Sequence, residues 1–395
     1  MKVALSLVTL FAASPALAQA ANFSLVHAFE GSSFFDGWTF YDFYDNTTNG
    51  DVNYVSQANA TAMKLAYVND AGNAIIKVDN ITNVPYPEKR DSVRITTNDF
   101  YNLGSIWVFD ALHLPYGCSV WPSFWTKGYD WPRQGEIDIV EGINLQSANQ
   151  MALHSYAGCT AASGTTQTGR AGNLNCNSTD GAGCTVTETS PNSFGAGFAS
   201  AGGGVWATQF DSSGVFIWFW ERSKVPASLS SATTSVDIST WGAPSAAYPA
   251  SSCNVGNFFG PQQLVITLTL CGDWAGIPSL YQPACGGDGA ANGCYVNSVI
   301  NAGSPNFDNA YFEIRSIKVF GVNSSVEISP SSASAAAPSQ ATGGAAGGSS
   351  PTGSGSSGPT GSAGTNAAIA ERFDLGGVLS LLGAGVLALA SGLLL

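Results

Sequence analysis

Short strand-like runs separated by turn residues dominate this chain of 395 residues. Alternating β-branched and aromatic residues, bounded by glycine, serine, asparagine or proline, are typical of strands. Long amphipathic helical patterns do not interrupt them. The sequence therefore predicts an all-β sandwich with long loops. The clearest runs are residues 74–78, 92–97, 105–109, 205–210, 215–220, 264–270 and 312–319.

Three carboxylates interrupt an otherwise apolar, β-branched stretch at residues 135–142 (GEIDIVEG). Charged residues make up only 10% of the chain, so three acids this close together are unusual. In a strand, alternate residues share a face, which places Glu136 and Asp138 together but leaves Glu141 with the wrong parity. A β-bulge near Val140 would return Glu141 to the acidic face, and bulges are common beside active sites.

With such a bulge, the backbones of Glu136 and Glu141 would lie roughly 13 Å apart, from a rise of ~3.3 Å per residue. Side chains that lean together by about 4 Å each would leave about 5 Å between the carboxyl groups. A separation of ~5–5.5 Å suits a retaining glycosidase, in which one carboxylate attacks the sugar and the other shuttles the proton. Asp138 would lie between the two glutamates and would shift the pKa of both through its charge and hydrogen bonds. A solvated acidic face and a calcium site are the alternatives for these acids taken by themselves.

The flanking segments extend this interpretation, since a tryptophan-rich segment at 121–132 precedes the acidic strand. With these segments, the chain resembles the fungal laminarinase-type endo-1,3(4)-β-glucanases of glycoside hydrolase family 16, over about residues 25–320. Their bulged E-x-D-x-x-E motif implies Glu136 as nucleophile, Glu141 as general acid/base and Asp138 as the assisting acid. The resemblance also implies a concanavalin-like β-sandwich jelly roll with the substrate along its concave face. Other similar segments are 34–38, 90–95, 110–115, 151–156, 271–276 and 311–320.

Three tryptophans and one histidine are the candidate substrate contacts. Trp125, Trp131 and Trp274 lie in segments that match the family's cleft, and the resemblance implies that they bind sugar. Tryptophan faces stack well on the C–H faces of glucose, although core packing is the alternative for any one of them. His154 follows the acidic strand and is expected to hydrogen-bond the nucleophile or the substrate, with a purely structural role as the alternative.

The two ends of the sequence differ in composition from the middle. Residues 1–18 have a charged start, a short apolar core and an A-x-A site, as in a secretory signal peptide. Residues 326–366 are rich in Ser, Gly, Ala and Pro and are expected to form a disordered stalk. Residues 367–395 end in an apolar tail after small residues, which is typical of a GPI-anchor propeptide; a single spanning helix is the alternative. The catalytic domain is then expected at 19–325.

The cysteine content and the net charge limit the cellular compartment and the class of binding partner. All eight cysteines lie in the predicted domain, and an even number in an exported chain predicts disulfides whose pairing the sequence leaves open. The net charge of −13 disfavours nucleic acid and anionic lipid as partners, but it does not exclude a neutral polysaccharide.

We therefore expect a secreted, cell-surface endo-β-glucanase that cleaves internal β-1,3 and mixed β-1,3/1,4 bonds with retention. The reaction needs no metal or other cofactor, and we expect none. The expected partner is β-glucan polysaccharide, bound by a monomer that reaches the membrane only through its lipid anchor. Two alternatives stay open: a cell-wall β-glucan transglycosylase, in which a sugar hydroxyl replaces water, and a non-catalytic glucan-binding lectin, which would need the tryptophans but not the acids.

Overall fold

The computed structural model describes residues 22–323 and 326–331, and strands make up most of their regular structure. Each strand-like run named above overlaps a strand, so that part of the prediction is confirmed. The strands are β1 (Asn22–Glu30), β2 (Trp38–Phe40), β3 (Phe43–Tyr44), β4 (Val52–Tyr54), β5 (Ala66–Val68), β6 (Ala74–Lys77), β7 (Arg90–Ser92), β8 (Arg94–Thr97), β9 (Phe100–Tyr101), β10 (Ser105–His113), β11 (Val120–Gly128), β12 (Glu136–Glu141), β13 (Gln150–His154), β14 (Arg170–Ala171), β15 (Cys184–Thr187), β16 (Gly204–Asp211), β17 (Gly214–Glu221), β18 (Ser235–Asp237), β19 (Ala246–Pro249), β20 (Gln262–Leu270), β21 (Tyr311–Gly321) and β22 (Glu327–Ile328). The α-helices are short: α1 (Gln57–Ala62), α2 (Gly195–Ser200), α3 (Ala227–Ser230), α4 (Val255–Phe258), α5 (Gly272–Ala275) and α6 (Pro278–Cys285).

Two large antiparallel sheets form the body of the fold. One runs in the order β18-β1-β21-β10-β16-β17-β19, with β6 and β5 attached beside β21. The other runs β14-β15-β13-β12-β11-β20-β8-β2, with β9 and β22 attached beside β20. A small third sheet joins β3, β4 and β7. The acidic strand β12 is therefore a central strand of the second sheet, where both neighbours hold its register.

The core lies between the inner faces of the two large sheets. Phe109 of β10 stacks on Phe124 of β11, with ring centroids 4.4 Å apart, and Phe312 of β21 meets Phe109 edge-on. On β11 the buried Phe124 alternates with half-buried Trp121, Trp125 and other residues that face outward. This alternation is the two-residue period of a strand with one face in the core, and it confirms the predicted sandwich.

Four disulfides account for all eight cysteines: Cys118–Cys285, Cys159–Cys253, Cys176–Cys184 and Cys271–Cys294. The predicted disulfides are thus confirmed. Most of them tie loops to one another or to strand ends, which restricts the long connections that surround the second sheet.

The strands reach slightly past the predicted start of the stalk at residue 326, because Glu327 and Ile328 pair with Tyr101 and Phe100. The predicted signal peptide (1–18), most of the predicted stalk and the predicted anchor propeptide (367–395) lie outside the described residues. Among the residues that are described, no helix is long and apolar enough to cross a membrane.

Candidate active site

A β-bulge bends β12 between Asp138 and Glu141. The pairing of β12 with β13 slips by one residue there, and so does its pairing with β11. Ile139 and Val140 are consecutive, yet both side chains are buried in the core. This extra inward residue turns Glu141 back to the outer face that carries Glu136 and Asp138. The predicted bulge is confirmed.

Asn149, just before β13, holds the bulge in place with its side chain. Its Oδ1 accepts a hydrogen bond from the backbone N–H of Glu141 (2.9 Å), and its Nδ2 donates to the carbonyl of Ile139 (2.8 Å). The Asn149 backbone N–H in turn donates to Ser193 Oγ (3.0 Å). Asn149 is fully buried. One amide side chain thus satisfies two backbone groups that the slipped ladder leaves without regular strand partners.

Glu136 begins β12 at the outer face. Its carboxylate accepts a hydrogen bond from the indole N–H of Trp131. Directly across the sheet it pairs with His154 on β13 and with Lys127 on β11. Burial and the negative charge of Asp138 raise the pKa of Glu136 to about 7, against the opposing effects of His154 and Trp131. Glu136 is therefore positioned by neighbours on three sides.

Asp138 is buried two residues further along the same face, and it pairs with His154. His154 Nε2 lies 3.2 Å from Asp138 Oδ2. Burial opposes charge on His154, but Glu136, Asp138 and Glu141 outweigh this and raise the pKa of His154 to about 10. His154 is therefore a cation at neutral pH and balances part of the negative charge. The structure places His154 against Asp138, the predicted assisting acid, and across the ladder from Glu136.

Glu141 ends β12 beside a pair of tryptophans. Trp121 Nε1 donates a hydrogen bond to Glu141 Oε1 at 2.9 Å. Burial and the charge of Asp138 raise the pKa of Glu141 to about 8, although the Trp121 hydrogen bond opposes this. Trp274, on α5, packs edge-on against Trp121, with ring centroids 5.6 Å apart. The predicted substrate contact Trp274 thus borders the site through Trp121.

Trp125 pairs with Asp138 across the β11–β12 ladder, on the outward face. Its indole N–H donates to Thr267 Oγ1 at 2.9 Å, and the Arg94 guanidinium lies over its ring at 5.3 Å. A groove of about 470 Å³ runs across the outer face next to Arg94 and Lys127. Hydroxyl and amide groups complete its lining at Thr39, Tyr41, Thr96, Asn98 and Gln263, with Pro330 at one edge.

One group of side chains among the described residues has a spacing that would suit a metal ion. It consists of Glu136, Asp138 and His154, and one ligand-type atom of each lies within 4.8 Å of the others. A ligating histidine must be neutral. The raised pKa of His154 keeps it protonated at neutral pH. In this structure His154 Nε2 instead lies 3.2 Å from Asp138 Oδ2, as in an ion pair.

The sequence-based prediction missed two residues of this site. Trp121 has the same strand parity as Trp125, so its place on the acidic face could have been read from β11 once that strand was assigned. Asn149 carries no comparable signal, because its role depends on a hydrogen-bond geometry that exists only after β12 has bulged. The three acids that the sequence did predict, Glu136, Asp138 and Glu141, share the outer face of β12.

The arrangement can carry out paired acid and base chemistry. Burial and the negative charge of Asp138 raise the pKa of both Glu136 and Glu141 above the usual carboxyl range. A carboxyl group whose pKa is raised in this way can hold a proton near neutral pH and donate it. A proton donor and a nucleophilic carboxylate on one face of a sheet are the two components that glycoside hydrolysis requires.

Comparison with known proteins gives a consistent result. The family model described as XgeA-like, catalytic GH16 domain, matches residues 38–320. A probable endo-1,3(4)-β-glucanase of Neosartorya fischeri is 37% identical over 326 residues, which cover 80% of this chain and 49% of that protein. The chain thus spans about half the length of this curated relative.

Two solved structures are similar over the same region. Laminarinase 16A of Phanerochaete chrysosporium, solved with β-glucans in its donor and acceptor sites, is 37% identical with a TM-score of 0.71; the match covers 76% of this chain and 100% of that one. An elongating GH family 16 β-1,3-glucosyltransferase is 36% identical with a TM-score of 0.69, covering 75% and 99%.

Proposed function

The chain belongs to glycoside hydrolase family 16, and on that premise we propose that it is a retaining endo-1,3(4)-β-glucanase. The fold is the jelly-roll type of β-sandwich expected for that family. One observation carries the proposal: the bulge brings Glu136 and Glu141 to the same face of β12, and an indole N–H holds each carboxyl group.

In the first step, a Glu136 carboxylate oxygen attacks the anomeric carbon as the bond from that carbon to the glycosidic oxygen breaks. Glu141 transfers its proton to the departing oxygen, so the leaving chain ends in a neutral hydroxyl. The product is a glycosyl ester on Glu136 and an ionised Glu141. Asp138, buried between them, and protonated His154 stabilise the charge distribution while the proton moves.

In the second step, ionised Glu141 removes a proton from a water molecule, whose oxygen attacks the anomeric carbon. The ester bond breaks, Glu136 recovers its carboxylate, and Glu141 is protonated again. Two inversions at the same carbon give net retention of the β configuration. This sequence uses only residues of this chain and water.

A neutral glucan chain is the substrate that the groove supports. Hydroxyl, amide and cationic side chains such as Thr96, Gln263 and Lys127 line it. Lys127 also pairs with Glu136 across the β11–β12 ladder. Half-exposed Trp131, at 38%, offers an aromatic face next to the nucleophile. Polar groups hydrogen-bond sugar hydroxyls, and indole faces cover C–H groups. The names of the similar proteins, endo-1,3(4)-β-glucanase and laminarinase, support the same substrate class.

The test is product analysis with laminarin, lichenan and chitin oligomers, with the anomeric configuration of new ends followed by NMR before mutarotation. We expect β-anomers from the glucans and none from chitin. Glu136→Gln should bind glucan but release no product, because an amide cannot form the glycosyl ester. Glucan binding without any hydrolysis by the unmodified chain would instead identify a lectin, and α-anomers would refute the retaining mechanism.

A second candidate function is transglycosylation, which the similarity to the elongating glucosyltransferase favours. The first step is the same, but a sugar hydroxyl then replaces water as the acceptor on the Glu136 ester. Chains longer than the starting oligosaccharide, formed at high oligosaccharide concentration and absent at low concentration, would support it. Shorter products alone at all concentrations would support hydrolysis.

We also propose that the enzyme acts outside the cell on a lipid anchor. Four disulfides support an oxidising compartment. The composition of residues 1–18 supports export, and that of residues 367–395 supports exchange of the apolar tail for a GPI anchor. The disulfides support only the export part, since secreted enzymes without an anchor also form them.

A further inference from the structure

A second aromatic surface lies on the small sheet and the loops beside it, apart from the acidic strand. It consists of Phe43, Tyr44, Tyr86 and Tyr295, here called the aromatic platform. Phe43, Tyr44 and Tyr86 are exposed by 51%, 49% and 69%. Aromatic side chains this exposed cost free energy in water, and a cluster of them marks an interaction surface.

Contacts between rings and with one short segment of chain join the platform into one surface. Phe43 and Tyr44 have ring centroids 4.4 Å apart, and Tyr86 and Tyr295 have centroids 5.9 Å apart. The Lys89 ammonium lies 5.8 Å from the Tyr44 ring, and the carbonyl of the preceding residue accepts a hydrogen bond from the Tyr295 hydroxyl at 2.9 Å. The two ring pairs therefore flank the same short segment of chain.

A polar pocket of about 330 Å³ adjoins the platform, and Tyr295 belongs to both. Asn49, Asp51, Asp273 and Asn292 provide amide and carboxylate groups to its lining. Asn49 Nδ2 donates to both carboxylate oxygens of Asp273, at 3.0 and 2.9 Å. The disulfide Cys271–Cys294 also lines the pocket, so a covalent bond joins the segment of Tyr295 to that of Asp273.

Side-chain contacts link the wall of the pocket to the acidic strand. Asp273 and Trp274 are neighbours on α5, and Trp274 packs against Trp121. Trp121 in turn donates to Glu141. A chain of contacts therefore runs from the general acid through two tryptophans to the pocket and then to the exposed tyrosines.

Hydrogen bonds within the protein hold the wall of the pocket in place. Buried Asp45 accepts hydrogen bonds from Thr48, Thr269 and Tyr54, which fastens the loop that carries Asn49 to the end of β20. The backbone N–H of Asp273 donates to the carbonyl of Thr48 at 2.9 Å. A pre-formed surface loses little conformational entropy on binding, which favours affinity for a long ligand.

We propose that the aromatic platform and the pocket form an outer binding surface for the β-glucan chain, beyond the catalytic groove. The inference rests on the proposed function. Tyrosine rings cover the C–H faces of glucosyl units at a low entropy cost, and the amide and carboxylate groups of the pocket bind their hydroxyls. The charge of Lys89 balances that of Asp51 in part, which suits a neutral polymer, and a chain of net charge −13 disfavours an anionic one.

The test compares long and short substrates. Tyr44→Ala and Tyr86→Ala, singly and together, are made in the active enzyme and in the Glu136→Gln background, with Tyr67→Ala as control. Tyr67 is a partly buried tyrosine on β5, which belongs to the large sheet that contains β10 and β21. Binding to insoluble β-1,3-glucan is measured in the inactive background, and kcat/KM is measured for laminarin and laminarihexaose in the active one.

We expect each platform substitution to weaken binding to insoluble glucan about threefold to tenfold, the range typical of one aromatic contact. The kcat/KM of each platform variant for laminarin should fall by a similar factor, whereas its kcat/KM for laminarihexaose should stay within twofold of the parent. For Tyr67→Ala, the kcat/KM values for laminarin and for laminarihexaose should both stay within twofold of the parent.

Unchanged glucan binding together with an unchanged ratio of the two kcat/KM values would overturn the proposal while leaving the glucanase assignment intact. Equal losses on both substrates would also overturn it, because they would indicate damage to the catalytic groove. Loss of binding to chitin but not to β-glucan would refute the assigned ligand. A parent enzyme that neither binds nor cleaves β-glucan would overturn the proposed function together with this surface.

Discussion

Asn149 offers a sharp test of how the bulge produces the active site. Asn149→Ala removes the acceptor for the Glu141 N–H and the donor to the Ile139 carbonyl. A buried backbone group without a partner costs about 1–3 kcal/mol, so for two such groups we expect the free energy of unfolding to fall by roughly 2–6 kcal/mol. For a domain of this size that corresponds to a drop in Tm of roughly 3–10 °C.

The same substitution should impair catalysis beyond its effect on stability. Relaxation of the bulge would move the Glu141 carboxyl away from the glycosidic oxygen, and a misplacement of about 1 Å can cost about 100-fold in rate. Protonation matters most when the leaving group is poor. The kcat/KM should therefore fall about 100-fold for laminarin and much less for an activated aryl β-glucoside, measured well below the lowered Tm.

Ser193→Ala is the matched control. It removes the hydroxyl that accepts from the Asn149 backbone N–H but leaves both side-chain bonds to the bulge in place. We expect a lower Tm with kcat/KM for both substrates within about threefold of the parent. If Asn149→Ala and Ser193→Ala lowered Tm alike and neither changed the ratio of the two rates, Asn149 would be a structural residue only, and the link from bulge to acid would be refuted.

Three further predictions follow from the charges and from the chain ends. Burial raises the pKa of Glu141 to about 8, so the stability that its neutral form provides is complete below about pH 4 and is lost as the pH rises through 8. Glu141→Gln should therefore lose less Tm than the parent between pH 5 and 9; an equal loss would contradict this. His154→Gln removes a cation that opposes the raised pKa of Glu136, so the acid limb of kcat/KM should move to higher pH, and an unmoved limb would exclude that coupling. Phosphatidylinositol-specific phospholipase C should release active enzyme from intact cells; resistance, with the peptide after residue 375 found in membranes, would indicate a spanning segment.

The sequence by itself determined the fold class and the placement of the three acids on one face of a single strand. Two-residue alternation in strands such as β11 and β20 follows from burial of one face only, so apolar patterning reveals it without tertiary information. The position of Glu136, Asp138 and Glu141 in one strand also implied the bulge, because only an extra residue could bring the third acid to the face of the first two.

The tertiary structure decided what surrounds those acids. Trp121 reaches Glu141 and Asn149 reaches the bulge only because β11, β12 and the start of β13 are aligned in register, and side-chain hydrogen bonds of this kind depend on fractions of an ångström. The disulfide pairing and the aromatic platform depend on the same information, since Cys271 with Cys294 and Tyr86 with Tyr295 are contacts between loops. The conformation of a loop depends on long-range packing. Unlike a strand, a loop has no periodic residue pattern from which its conformation could be predicted.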